Sequence, residues 1–400
     1  MKNVLVLTST FPRWENDTTP SFVLDLSKKI AEKYKVTVLA PHAYSSKRKE
    51  AIGNLEVKRF RYFFPLKSQK VAYGAGILPN IKSSQLAKLQ IPLFLASQLK
   101  NAVSIMRKEK VELIHAHWQI PQGIIGVYLK KMFKVPLVVT IHGSDLFPLK
   151  SSFLKKLQHY VVKNADKITV NSDTAKKELV SRFPDSETKI RIISMGVDTK
   201  LFSSKKTALS KKYPKQKIIL FVGRINEQKG IEYLIDAMPR VLKKIKNAHL
   251  VIIGEGGHKK SLIEKSRKMG LGKCMDFTGP KTQKEISDFY NLSDVFVLPS
   301  VTSKIGTESF GLVIAEAMAC GTCVIGSSSG GIKDIIQDEK NGLIFEEKNS
   351  SELAEKIILV LSNPKLRNSL AKNGAISAKN NYSWDIVSKK FLEIYGELLK

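Results

Sequence analysis

Apolar and polar positions alternate in blocks along this chain, a short hydrophobic run followed by an amphipathic stretch. The runs "NVLVLTS", "KVTVLA", "LEVKRF", "VELIHAH", "PLVVTIHGS", "KITVNS" and "IRIISMG" are apolar and rich in β-branched residues. They predict buried parallel strands, because a strand covered on both faces loses the alternation of a half-solvated one. A polar, lysine-rich stretch, "DTKLFSSKKTALSKKYPKQK", interrupts the pattern. A second series then begins with "KIILFVGR", "AHLVIIGEG", "MDFTGP", "VFVLPS", "TCVIGSS" and "GLIFEE". Between strands lie helical patterns such as "GIEYLIDAMPRVLKKI", with apolar residues at i, i+3, i+4 and i+7. The expected architecture is α/β, two Rossmann-like doubly wound domains over 1–200 and 216–382. Residues 201–215 are the expected linker and 383–400 a closing helix. Ligands of such sheets bind beyond the carboxyl ends of the strands, so a substrate held by both domains is expected in a cleft between them.

One segment breaks the rhythm, "RYFFPLKSQKVAYGAGILPNIKSSQLAKLQIPLFLASQLKNAVSIMRKEK". It is too apolar for a loop and predicts one or two helices on the rim of the first domain. Phe60, Tyr62, Phe63 and Phe64 beside Arg59, Arg61 and Lys67 suggest an interfacial surface for membrane or acceptor. The competing reading is a locally packed helix with a solvated basic face.

Composition narrows the choices. A chain of 400 residues suits two domains of about 200 each, and 43% hydrophobic content argues for globular domains throughout. The start, "MKNVLVLTST", reads as a strand rather than a signal peptide, and no run approaches the ~18 apolar residues of a membrane span. Three cysteines, Cys274, Cys320 and Cys323, make no disulfide framework, which points to a reducing cytoplasm. The net charge is +30. Residues 1–200 carry 34 basic against 15 acidic side chains and the remainder 32 against 21. Such a surface attracts phosphorylated substrates, anionic lipid or nucleic acid.

The candidate chemistry lies in the loops. "VGRINEQKG" follows a strand and precedes a helix, placing Arg224 and Lys229 at the sheet's carboxyl edge. Two fixed cations there suit a diphosphate leaving group, whose charge grows as its bond breaks; a solvated pair is the alternative. "VIIGEGGHKKSL" lacks the Walker lysine and the dinucleotide glycine spacing, and a tight turn explains it. In "ESFGLVIAEAMACG", Glu308 and Glu316 flank Phe310, Gly311 and Leu312, where a helix begins and backbone N–H groups favour phosphate. If fully helical, the two carboxylates are roughly 12 Å apart along the axis, against about 5 to 9.5 Å for a hydrolase pair. That spacing fits two ends of one elongated ligand. Gly330 and Gly331 offer a second close backbone approach, and His142 falls just past a strand end. His115 and His117 share one strand face, without the carboxylates or cysteines that would make a metal site. Cys320 and Cys323 match C-x-x-C inside the glutamate motif, which speaks against redox use. No Asp-x-Asp occurs in the chain.

Taken together these residues resemble the retaining glycosyltransferases of the GT-B fold, family 4. The resemblance runs through "TFPRWENDTTPSFVLDLSKKIA", "VELIHAHWQIPQG", "TIHGSD", "SMGVDTKLF", "VGRINEQKG", "DVFVLPS", "ESFGLVIAEAMACGTCVI", "GGIKDII", "NGLIF" and "YSWDIVSKKFLEIYGELL", in the family's order. It implies an acceptor-binding first domain, a nucleotide-sugar-binding second domain, and a closing helix that crosses back onto the first. Arg224 and Lys229 would hold the donor diphosphate, Glu308 the donor sugar and Glu316 the ribose hydroxyls. The backbone of Phe310, Gly311 and Leu312 would meet sugar and phosphate, His142 would lie near the transferred sugar, and Gly330 and Gly331 would shape the donor pocket. The implied reaction retains anomeric configuration and needs no metal or cofactor beyond the donor, with UDP the first expectation and GDP the second. The acceptor would be a glycan or lipid-linked hydroxyl in cell-surface polysaccharide or glycolipid synthesis, at the inner face of the cell membrane, with no nucleic acid involved. Departures are Cys323 for the usual proline, Met195 for the usual asparagine, and "ENDTTPSF" where many relatives carry paired glycines. The competing functions are a non-catalytic binder of anionic membrane or nucleic acid on the same scaffold, and a phosphorylase or epimerase of the same fold.

Overall fold

The computed structural model describes residues 1–400 apart from Asn16, Ala75, Lys304 and Ile305. The chain divides into two compact units, Met1–Gly196 with Trp384–Lys400, and Val197–Ser383.

The first unit begins with β1 (Asn3–Leu7), α1 (Phe22–Ile30), β2 (Lys35–Pro41), β3 (Lys49–Ile52) and β4 (Leu55–Phe60). It continues through α2 (Ile77–Ser83), α3 (Gln85–Glu109), β5 (Leu113–His117), α4 (Ile124–Phe133) and β6 (Leu137–Ile141). Then come α5 (Ser152–Asn164), β7 (Lys167–Val170), α6 (Asp173–Arg182) and β8 (Ile190–Ile192). Its sheet runs β3-β4-β2-β1-β5-β6-β7-β8. All pairings are parallel except β3 with β4. The apolar runs predict only parallel strands, and β3, with the half-polar sequence "KEAI", is an added antiparallel edge. Successive residues of β1 feed opposite core layers. Leu5 and Leu7 join the layer of Phe94 and Ala102 from α3, while Val4 and Val6 join that of α1.

The second unit holds β9 (Lys217–Val222), α7 (Ile231–Lys244), β10 (Ala248–Ile253), α8 (Lys259–Lys268), β11 (Met275–Gly279) and α9 (Gln283–Leu292). After these come β12 (Val295–Leu298), α10 (Leu312–Ala319), β13 (Cys323–Ser327), α11 (Ile332–Ile335), β14 (Leu343–Phe345), α12 (Ser350–Ser362) and α13 (Pro364–Ser377). The sheet order is β11-β10-β9-β12-β13-β14. Residues 201–215, expected as a linker, pack within this unit: the Ser287 hydroxyl donates to Leu201 O at 2.8 Å, and Lys205 pairs with Asp288 at 3.2 Å.

The last helix, α14 (Trp384–Leu398), belongs to the first unit and packs on α1. Trp384, Val387, Phe391 and Ile394 follow helical spacing and enter the layer of Val4 and Val6. Gly196 makes the docking possible, since a Cβ there would fall 2.2 Å from the Trp384 ring. Among the described residues no helix is long and apolar enough to cross a membrane.

The segment expected as rim helices forms α2 and α3. Its proposed interfacial surface needs correction. Arg59 is only 2% exposed; it pairs with Glu50 at 2.5 Å and donates to Pro12 O at 2.8 Å. Phe60 and Tyr62 are core residues, and Phe63 is half-buried against the same core. Arg61, Phe64 and Lys67 are exposed. Period-two alternation explains Arg59, which follows the buried Leu55 and Val57 on one face of β4.

Candidate functional site

The parallel strands of each sheet reverse their order once, between β1 and β5 in the first unit and between β9 and β12 in the second. Doubly wound sheets bind ligands beyond the carboxyl ends of strands at such points. In the second unit Gly223 and Arg224 leave β9, and Pro299 and Ser300 leave β12, so two loops meet at the reversal.

The β9 loop ends in a short turn over Glu227–Lys229, closed by Gly230 in the left-handed region at φ 58°. A Cβ on Gly230 would fall 2.0 Å from Pro299 O, so only glycine lets the β9 and β12 loops approach this closely. Lys229 is thereby delivered to Glu308, with Nζ 2.5 Å from Oε2 and side-chain exposures of 13% and 12%. Ser300 donates to the same oxygen at 2.9 Å. Burial favours the neutral acid, yet Lys229, Ser300 and the nearby charge of Arg224 outweigh it and hold the Glu308 pKa below its ordinary value. Arg224 is exposed at the loop's edge.

Around the pair the loops brace one another. Gln228 Nε2 donates to Thr307 O at 2.7 Å, Val301 N donates to Gln228 O at 2.8 Å, and the Thr307 and Ser329 hydroxyls share a bond of 2.9 Å. Gly330 and Gly331, expected to admit a ligand, lie against the chain itself. Cβ atoms there would fall 2.1 Å from Glu308 O and 2.3 Å from Ser309 O, and Gly331 N donates to Glu308 O at 2.9 Å. They back the loop that carries Glu308.

Helix α10 starts at Leu312, after Gly311 at φ 90° with no side-chain cap. Half of the Glu308–Glu316 interval therefore lies outside the helix, and the fully helical separation does not apply. Glu316, within α10, accepts from the Tyr290 hydroxyl at 3.1 Å. Burial, followed by the Glu316 charge, raises the Tyr290 pKa well above its ordinary value and keeps it a donor. Phe310 is buried edge-on against Tyr382, so its ring packs within the unit. Cys320 and Cys323 are free and buried, and burial pushes both thiols up to about 12.

The first unit gathers three of its five histidines at the ends of β5 and β6. His117 Nδ1 lies 3.0 Å from His142 Nε2, with the rings stacked. His115, 4.3 Å from His117 between ring centroids, bonds Thr140 at 2.7 Å and the Tyr395 hydroxyl of α14 at 2.6 Å. Burial pushes His115 and His142 down to about 3 and His117 well below its ordinary value, so all three rings are neutral at physiological pH. Phe22 and Trp118 flank His142, with ring centroids 4.9 and 4.7 Å away. Asp145 anchors the turn, accepting from His142 N at 3.0 Å and Gln119 N at 2.6 Å. Burial pushes its carboxyl up to about 6 against those bonds.

The sequence alone does not single out Ser300, Gln228, Ser329, Tyr290 or Asp145. Ser300 had a signal, a hydroxyl two residues past a fully buried strand; the others are common loop and helix residues in their local context.

These two sheets place the chain in the GT-B class of folds. A sucrose-phosphate synthase from Thermosynechococcus elongatus superposes with a TM-score of 0.82 at 21% identity, over 100% of this chain and 99% of that one. Anabaena HepE, solved with UDP and glucose, superposes at 0.76 and 18% identity over the whole of both chains. The model of the Glycosyl transferases group 1 matches residues 203–376, and that of Glycosyltransferase Family 4 matches residues 20–201. An uncharacterized glycosyltransferase of Methanocaldococcus jannaschii is 32% identical over 318 residues, 76% of this chain and 80% of that protein. A D-inositol 3-phosphate glycosyltransferase of Corynebacterium jeikeium is 27% identical over 340 residues, 78% and 79% of the two chains. The chain belongs to the group 1, family 4 glycosyltransferases.

Proposed function

We propose that the carboxyl edge of the second unit's sheet binds a nucleoside-diphosphate sugar, UDP-linked in the first instance and GDP-linked in the second. The hexose passes with retention of configuration to a hydroxyl of a glycan or lipid-linked acceptor. The observation that carries this reading is the Lys229–Glu308–Ser300 arrangement at the β9/β12 reversal. The neighbour HepE, solved with UDP and with UDP-glucose, supports the choice of donor.

Arg224 and Lys229 offset the charge that develops on the diphosphate as the anomeric C–O bond breaks and its electron pair leaves with phosphate. The uncapped N–H groups of α10, behind Gly311, point the helix dipole toward the same charge. Glu308 is held ionised and accepts from sugar hydroxyls, and Glu316 accepts from the ribose. The acceptor oxygen forms the new bond on the face the diphosphate leaves, and its proton goes to the departing phosphate. Cationic side chains do the neutralising here, so the reading requires no metal. For His142 the proposal is a neutral imidazole that hydrogen-bonds a sugar hydroxyl. The product belongs to cell-surface polysaccharide or glycolipid synthesis, with the protein at an anionic membrane surface.

The test is isothermal titration with UDP, GDP, ADP and dTDP, repeated with Glu316→Ala and Lys229→Ala. Selective binding of one nucleotide, weakened by both substitutions, is the expected result. Binding of none of the four by the unaltered protein overturns the reading.

A further inference from the structure

From residue 57 to residue 108 the chain carries ten lysines and arginines and no aspartate or glutamate. Helix α3 forms the second half of this segment. One of its faces, with Ala87, Phe94, Ala102 and Met106, is buried in the core. The opposite row advances by three and four residues through Leu86, Leu89, Leu93, Ala96, Lys100, Val103 and Arg107. Leu89 is 74% exposed, Leu93 49% and Leu86 37%. Single exposed leucines are ordinary; three on one helical face form a patch. Toward the helix's C-terminal end the row enters a groove of about 500 Å³ beside α4, where Val103, Tyr128 and Met132 meet Lys100 and Arg107. The preceding loop rides alongside: Ser97 Oγ donates to Arg61 O at 2.6 Å and Gln90 Nε2 to Ser68 O at 2.7 Å. Between those ties Phe64 is 83% exposed.

We propose that this outward face of α3, with Phe64, docks on an anionic lipid bilayer. The leucines enter the boundary of the acyl region, while Lys82, Lys88, Lys100 and Arg107 meet the headgroup phosphates. Charge decides among occupants. A second copy of this chain would set cations against cations on a segment that holds no carboxylate. A nucleic acid would satisfy the cations but leave the leucine row against water. A bilayer satisfies both halves. The surface deepens the membrane part of the proposed function, and it rests on that reading only for the reason an enzyme with a lipid-linked acceptor stands at a membrane.

Vesicle flotation of the full chain tests it, with phosphatidylcholine alone and with a third of the lipid replaced by phosphatidylglycerol. The expected result is binding to the anionic vesicles only, weakened by salt and reduced about tenfold or more by Leu89→Ser with Leu93→Ser. Lys88→Gln with Lys100→Gln, which leaves the apolar row intact, should weaken it by several-fold. Nucleotide titration and the melting curve of each variant should be unchanged, which separates failure of this surface from failure of the donor site or of folding. Equal binding to both vesicles, no binding to either, or binding untouched by both variants overturns the proposal. So does a dimer in light scattering that the leucine variant dissociates.

Discussion

Lys229→Met tests the electrostatics of the candidate site most directly. The substitution keeps much of the side chain's length and removes the cation 2.5 Å from Glu308. What remains is a nearly buried carboxylate with one hydroxyl donor, Ser300, and the more distant Arg224. Breaking one side of a fully buried pair costs about 3–5 kcal/mol. Exposures of 13% and 12% let water reach the pair, so we expect about 2 kcal/mol at pH 7.

The pH dependence carries the sharper signature. In the unaltered protein the Glu308 pKa is depressed in the folded state from an ordinary value of 4.5. Its stabilisation is therefore present above that value and lost as pH falls through the folded pKa. In the variant, burial, the largest influence on this group, is no longer opposed by the Lys229 cation, and the folded pKa should rise. A raised carboxyl penalises folding at neutral pH, and the penalty fades as acid protonates it. The gap between the two proteins should thus be widest near pH 7 and narrow through the carboxylate range. Urea denaturation of the second unit at pH 7, 6 and 5, with Lys229→Met, Glu308→Gln and the double variant, measures the gap and the coupling. A loss under about 0.5 kcal/mol at pH 7, the level of an exposed pair, refutes the reasoning. A gap that stays constant with pH does so equally.

Gly230→Ala places a Cβ at φ 58° and 2.0 Å from Pro299 O; a loss of about 2 kcal/mol or more in urea denaturation is expected, with weaker nucleotide binding as the β9 and β12 loops part. The buried histidines predict acid sensitivity in the first unit. His115 and His142 sit at about 3 against an ordinary 6.5, so the unfolded chain takes up protons first and stability falls as pH drops from 6.5 toward 3. Proton NMR of the ring C–H signals should show neither titrating above pH 5.

The strands of both sheets were legible because buried parallel strands leave continuous apolar runs in the sequence. β3 left none: it is four residues long, sits at an edge and pairs on one side only. Arg59 was legible too, and the alternation Leu55, Val57, Arg59 outranks the charge. A cation at a buried register position calls for a partner on the neighbouring strand, and Glu50 on β3 supplies it. The missed strand and the misplaced arginine are thus one omission, since without β3 nothing remained to neutralise Arg59 inside the unit.

The site divides in the same way. Lys229 and Glu308 stood out because two cations share the loop "VGRINEQKG" and two carboxylates flank a helix start in "ESFGLVIAEAMACG". Ser300, Gln228 and Ser329 are ordinary loop residues, and only the adjacency of β9, β12 and β13 brings them onto one network. Gly330 and Gly331 show how a local pattern can mislead in detail while marking the right place. A glycine pair before a helix announces a close approach, but the sequence cannot name what approaches. Here it is the backbone of Glu308 and Ser309. A side chain at either glycine would therefore act on the site by displacing the loop that carries Glu308, whether or not any ligand touches that position.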